Sequence, residues 1–266
     1  MTASTHPATL TQTSTAAQAI RQVAFDAPWA WLAAGWRDLW SSPAISLAYG
    51  AAFAAIAYAF VFELSQINAL PLMLPLAGGF FLVGPLLAVG LYEISRRRER
   101  NEPTALRDIL SAAKKSSGQL ASFGVVLLLL YFFWMRTASL LFMLFFGNAD
   151  IPPVEDFVPT LLFTPHGLGL LVLGTAAGAV LAGVSFAISA ISVPMLLDRQ
   201  VDVITAIGAS IQAVRMNVPA MTLWAILILG LTVMGFAGLF IGLAIAFPLI
   251  GHATWHAYRE LTGTWQ

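Results

Sequence analysis

Few side chains in this chain could do chemistry, and they fall in three places. His252 and His256 are four residues apart, so on a helix their rings share one face. That spacing can hold a metal. The run here is His-Ala-Thr-Trp-His, which lacks the glutamate of the helical zinc motif, and two ligands do not close a site. The competing reading is interfacial packing beside Trp255 and Tyr258, and it is the simpler one. Metal or haem ligation is the alternative, and no cofactor is expected. His166 reads as a solvated residue at a helix start.

The second place is Arg136, a single charge within the apolar run from Gln119 to Phe146. A charge at the centre of a bilayer costs about 2.5–3.5 kcal/mol on insertion scales. It can be relieved by snorkelling to the surface, by a structural pair with Glu63 near the end of the first apolar run, or by binding an anion or lipid headgroup. The sequence favours the pair, because Glu63 stands at a compatible depth, and so predicts coupled behaviour of Glu63 and Arg136.

The third is a basic run, Arg96, Arg97, Arg98, Arg100, Arg107, Lys114 and Lys115. It reads first as a topology signal. A site for anionic headgroups is the functional alternative, since a cytoplasmic cation near such a surface gains about 1 kcal/mol, although Glu99, Glu102 and Asp108 reduce the local charge. There is no phosphate-binding glycine loop and no plausibly spaced catalytic triad. The absence of cysteine excludes disulfides and thiol chemistry.

The elements that must position these residues follow from composition. Of 266 residues, 59% are hydrophobic and 10% charged, against about 45–50% and about 25% in ordinary soluble domains. Mean hydropathy is +0.81. The expected fold is all-α, a polytopic membrane bundle of six helices with short amphipathic helices on the cytoplasmic side. The spans are read at about 43–64, 70–92, 119–146, 167–197, 218–234 and 236–256, since about 20 apolar residues cross a bilayer core. Residues 1–23 read as a flexible tail, 24–261 as the membrane domain and 262–266 as a second tail. The short link after Leu64 predicts that the second span returns beside the first. Thr164-Pro165 reads as a cap followed by proline in the first helical turn. Gly174 with Gly178, and Gly238 with Gly242, are small-xxx-small pairs suited to close helix packing, and the last hairpin is expected to turn near Gly235.

Prolines stand at three successive exits, Pro85, Pro194 and Pro248, and amphipathic segments precede the first, third and fifth spans. Three copies of a surface helix plus a hairpin account for that order. In the first of these segments Trp29, Leu32, Trp36, Leu39 and Trp40 form a stripe suited to the headgroup region, or to a lid packed on the bundle. Twelve of the thirteen basic residues fall on one side of this layout and the other side has none. Basic residues stay cytoplasmic, which places both termini inside.

Four pieces also carry a resemblance: Asp26-Ala27-Pro28-Trp29 with Gly35-Trp36-Arg37-Asp38-Leu39-Trp40; Gly84-Pro85 with Gly90-Leu91-Tyr92-Glu93-Ile94-Ser95-Arg96; Val193-Pro194-Met195-Leu196-Leu197-Asp198-Arg199; and Gly251-His252-Ala253-Thr254-Trp255-His256-Ala257-Tyr258-Arg259. Over about residues 24–261 the chain resembles a bacterial family of predicted integral membrane proteins known only as a domain of unknown function. The resemblance implies a membrane location and no activity. The layout is similar to the membrane domain beside some glycerophosphodiester phosphodiesterases, at the level of fold alone.

The functional expectation is a non-enzymatic accessory, assembly or lipid-organising factor of a bacterial inner membrane. Its partners are the bilayer and, as candidates, anionic lipids or another membrane protein; no nucleic acid is implied. The rival is a small transporter or channel using Arg136 and the broken second span, because transporters place sites at interrupted helices.

Overall fold

The computed structural model describes residues 20–67, 69, 72–105, 107, 111, 114, 117–147, 154–238 and 240–263. Most of the proposed amino-terminal tail, Lys115, and Asp150 in the outer link lie outside the described residues. Among the described residues the chain is helical and has no strand.

The helices in order are α1 (Ala27–Ser41), α2 (Pro43–Gln66), α3 (Met73–Leu87), α4 (Val89–Glu99), α5 (Ser117–Phe146), α6 (Val154–Phe163), α7 (Pro165–Ser189), α8 (Ser192–Asp198), α9 (Val203–Met216), α10 (Val218–Ala237) and α11 (Leu243–Leu261). Proline and capping residues set many of the boundaries. Pro28 lies in the first turn of α1. Pro43 opens α2 and drives Ser42 out of the helical region, so α1 stops there. Thr164 is extended and its hydroxyl accepts from the Gly167 N–H at 3.0 Å, with Pro165 opening α7. Asp202 caps α9 by accepting from the Thr205 N–H at 2.9 Å.

Several expected boundaries move. The second span is divided at Ala88 into α3 and α4. The fourth is divided at Ala190 and Ile191 into α7 and α8; Pro194 has no N–H for the carbonyl four residues back and its ring crowds that carbonyl. The outer link contains an unforeseen helix, α6. The last hairpin turns between the end of α10 at Ala237 and the start of α11 at Leu243, where Phe240 has φ 67°. Gly235 is instead helical and is the point of closest approach: a Cβ there would meet Leu243 at 2.8 Å.

The glycine pairs also do a different job from the one their spacing suggests. Gly238 and Gly242 flank the turn, and it is Gly235 that faces Gly242 across the hairpin. A Cβ on Gly174 would meet nothing within 4 Å, while one on Gly178 would touch the Trp134 ring at 3.3 Å. Close backbone approach occurs elsewhere. A Cβ on Gly35 of α1 would meet the Ala253 nitrogen of α11 at 2.7 Å, and one on Gly50 of α2 would run into the Ala244 carbonyl of α11.

α11 is therefore the axis of one group of helices, with α1, α2 and α10 packed on it. The second group is α3, α5, α6 and α7. α2 and α3 share little contact despite their short link: α2 packs on α11, and α3 on α5 and α7. α4, α8 and α9 join the groups at the end that carries most of the basic residues. The core lies at this basic end, built on Trp31, Leu91, Ile94, Phe123, Leu127, Ile191, Trp224, Trp255 and Tyr258, all fully buried. Elsewhere the long helices are apolar around their whole circumference, as in a membrane span. α2, for instance, buries only Ser46, Gly50 and Leu64.

Candidate functional site

The polar residues converge at the basic end around α11. α4 supplies Glu93, whose side chain is completely buried. Arg96 donates to it at 2.7 and 3.0 Å, and Arg97 at 2.7 Å. One helical turn separates Glu93 from both arginines, so the cluster forms within a single helix. The next arginine points to a different element. Arg98 donates to Asp38 of α1, and the other oxygen of that carboxylate lies 2.8 Å from His256 Nε2 of α11. Arg100 reaches Asp198 of α8 at 3.2 Å. Asp198 also accepts from the Tyr258 hydroxyl at 2.9 Å.

Burial pushes the Asp38 carboxyl up, but the hydrogen bond and charge of His256, joined by Ser95 and the charge of His252, more than offset this. The group is held below its ordinary value of 3.8. Nearby, Glu99 accepts from Arg259 at 3.0 Å and from the Trp255 indole at 3.2 Å. Glu260 accepts from the Trp31 indole at 2.6 Å. Arg259 and Arg199 lie over the faces of Trp255 and Tyr258 respectively, at 5.9 and 5.6 Å from the ring centroids, within cation–π range. Glu99, Arg100, Trp255 and Arg259 line an open recess of about 310 Å³.

The histidines are placed differently from one another. His252 is fully buried, not interfacial. Its Nε2 lies 3.0 Å from the Ser46 hydroxyl of α2 and its Nδ1 2.8 Å from the Ser95 hydroxyl of α4. With both nitrogens engaged by serines, the ring joins three helices and offers no lone pair to a metal. His256 faces Asp38 instead. Among the described residues no group of three or more His, Asp or Glu side chains is arranged to hold a metal ion.

Most of the basic run is thus directed inward, onto Glu93, Asp38 and Asp198. Arg107 and Lys114 are exposed, and Lys115 is outside the described residues. Sequence reasoning singled out the arginines and missed the carboxylates that receive them. Glu93 was recoverable from its spacing to Arg96 and Arg97. Asp38, Ser46, Ser95 and Asp198 had no such signal, because their partners lie on other helices.

Arg136 and Glu63 do not meet. Among the described residues no ion pair joins them, and both are exposed. α5 packs through Gly124, Tyr131 and Trp134, whose neighbours are Leu86, Gly79 and Gly78 of α3. At about 100° per residue Arg136 stands on the opposite side of α5. Its height is fixed by three contacts: Tyr49 donates to the Leu87 carbonyl at 2.6 Å, Gly124 faces Leu86, and Trp134 donates to the Pro75 carbonyl at 2.8 Å. Measured along the helices, Glu63 lies about 21 Å beyond Tyr49 and Arg136 about 18 Å beyond Gly124. Both therefore stand near the outer turn of the first hairpin, and the last ten residues of α5 continue past it.

Pro85 lies within α3, Pro194 within α8 and Pro248 within α11. Four helical stretches are long and apolar enough to cross a membrane: Pro43–Gln66, Gly118–Phe146, Pro165–Asp198 and Val218–Ala237. Large apolar side chains stand exposed along them, among them Ile56, Leu129, Val172 and Ile226. These helices, tied together at one end by a polar cluster, define an α-helical integral membrane protein. Residues 72–198 match the model of a family described as predicted integral membrane protein (DUF2189), a description that names a location and no activity. That stretch carries the Gly84-Pro85, Gly90–Arg96 and Val193–Asp198 pieces; those at 26–40 and 251–259 lie outside it. No curated protein and no solved structure matches the chain.

Proposed function

We propose that the protein is a non-enzymatic accessory or lipid-organising factor, with six spans in a bacterial inner membrane and both termini cytoplasmic. The carrying observation is the closure of the basic end. Arg96 and Arg97 are matched to Glu93 within α4, and Arg98, Arg100 and Arg259 to Asp38, Asp198 and Glu99 on neighbouring helices. The chain therefore builds a cytoplasmic collar held by ion pairs, while Arg37, Glu102, Arg107, Lys114 and Arg215 remain exposed on it. α1 fits the collar. It buries Trp31 and Leu39 against the bundle while Trp29, Trp36 and Trp40 stay exposed, which suits a helix lying in the headgroup region.

Two of the six spans are not long apolar helices by themselves, and burial supports including them. α3 continues through Ala88 into α4, whose residues from Val89 to Ser95 are buried. α11 carries its polar half inside the collar, where α1, α2 and α4 cover it. Polar side chains facing protein do not have to enter lipid. The topology is tested by cysteine labelling, since the chain has no native cysteine. Cysteine at Asp156 is expected to react only from outside and cysteine at Gln200 only from inside; the opposite pattern reverses the orientation.

A transporter remains the second reading, favoured by the paired helix breaks at Ala88 and at Ala190–Ile191, which share one core. The deciding experiment is flux of a broad solute panel into liposomes holding the purified protein, alongside identification of lipids and proteins that copurify in mild detergent. Selective copurification without flux supports the accessory reading. Reproducible flux overturns it.

A further inference from the structure

Glu63 and Arg136, the charges on the outer halves of α2 and α5, carry information beyond topology. On α2, Glu63 shares one face with Ala48, Ala52, Ala55, Ile56 and Ala59, all exposed. On α5, Arg136 shares one face with Val125, Leu129, Phe132 and Phe133, also exposed. The first face is mostly alanine, with Ile56 standing among the alanines and Phe60 at its edge, and ends in a carboxylate. The other is ridged with large side chains and ends in a guanidinium. Each charge points away from the helices its own chain packs against, so the two faces cannot close on each other within one copy.

The spacing along the faces also agrees. Ala59 precedes Glu63 by four residues, as Phe132 precedes Arg136; Ala52 precedes it by eleven, as Val125 does Arg136. α2 and α5 both lead away from the basic end, so in two copies with the same orientation they run parallel. Small residues let membrane helices approach closely, and the large side chains of α5 can pack into the space that the alanines on either side of Ile56 leave. An exposed Arg beside lipid is stabilised further by a carboxylate at its own depth.

We propose that the alanine face of α2 in one copy docks on the ridged face of α5 in the next, with Glu63 opposite Arg136. The contact is heterologous, joining different faces, so it builds rings if the rotation closes and open chains if it does not. It requires only the membrane setting and holds under either functional reading above.

The test uses two differently tagged copies coexpressed in one membrane, one carrying Ala59→Cys and the other Phe132→Cys, with Glu63 and Arg136 intact. Oxidation is expected to give the mixed disulfide between tags, in excess of either like-with-like product. Glu63→Arg on the first copy, or Arg136→Glu on the second, should lower that product about tenfold, because like charges face each other. Both reversals together should restore it, which also shows that the variants fold. The proposal is overturned if like-with-like disulfides dominate, if no mixed product forms, or if single reversals leave its yield unchanged. A single chain carrying both cysteines that cross-links internally would overturn it as well. So would rescue of the Arg136→Glu loss by a basic residue at Asp150 or Glu155, which would assign the guanidinium to its own outer link.

Discussion

Glu93→Gln is the sharpest test of the collar. The native carboxylate is completely buried and accepts three N–H donors from Arg96 and Arg97. Glutamine keeps the shape and one carbonyl acceptor, but it loses the charge and places an amide N–H₂ against guanidinium groups that can only donate. Breaking a buried ion pair by removing one partner costs about 3–5 kcal/mol. Here the arginine side chains are 20% and 18% exposed and can turn partly to water, which brings the expected loss below that range, to about 2–3 kcal/mol. For a chain of this size each kcal/mol moves the melting temperature by about 2–4 °C. A drop of roughly 5–10 °C is therefore expected for the purified protein in mild detergent, followed by tryptophan fluorescence. Trp31, Trp224 and Trp255 are all in the affected core, so the signal reports the region that loosens. The arginines supply a second arm: Arg96→Met in the Glu93→Gln background should cost much less than in the native chain, because the pair is already broken. A melting temperature unchanged by Glu93→Gln, or fully additive losses in the pair, refutes the argument that this carboxylate organises the collar.

Two further outcomes follow from single contacts. The Asp38 carboxyl is held below its ordinary value of 3.8, so its contribution is complete above that value and is lost as pH falls through it toward the depressed folded value. Stability should decline on acidification below about pH 4, and Asp38→Asn should lower stability near neutral pH while removing this part of the decline, both read by thermal melts across pH. Gly50→Val should push α2 away from α11 at the Ala244 carbonyl and cost about 1–3 kcal/mol as an overpacked contact, whereas Gly174→Val, at a position facing open space, should leave the melting temperature nearly unchanged.

Local rules were legible where the controlling residues are neighbours in sequence. Pro28, Thr164-Pro165 and the apolar runs located helix starts because caps and proline act within one turn. Glu93 with Arg96 and Arg97 belongs to the same class. The rest of the collar depends on contacts that no local rule contains: Arg98 reaches Asp38 across 60 positions and His256 reaches it across 218. His252 looked interfacial because its neighbours Trp255 and Tyr258 are residue types enriched at that boundary, but α1, α2 and α4 close over α11 and bury it. The last turn was misplaced for a related reason. Gly235 signals a break if glycine is read as a conformational device, yet here the missing side chain serves the approach of α11.

Arg136 shows how a depth read along one helix can mislead. Ten residues short of the end of α5, it reads as a charge about 15 Å inside the membrane, which calls for a buried partner. That inference takes the end of the helix to be the edge of the bilayer. The contacts with α3 give a better ruler. Trp134 bonds to Pro75, near the start of α3, so Arg136 stands level with the outer turn of the first hairpin. The helices leading outward are also unequal: α10 has 20 residues, α2 has 24 and α5 has 30, or about 30, 36 and 45 Å. With a hydrocarbon core of about 30 Å, it is the excess length of α5 that lies beyond Arg136. At that height a long Arg side chain can reach the membrane surface and needs no internal counterion. A carboxylate at the same height on another copy is the partner proposed above, so the outward faces of α2 and α5 are where recognition by this protein should be sought.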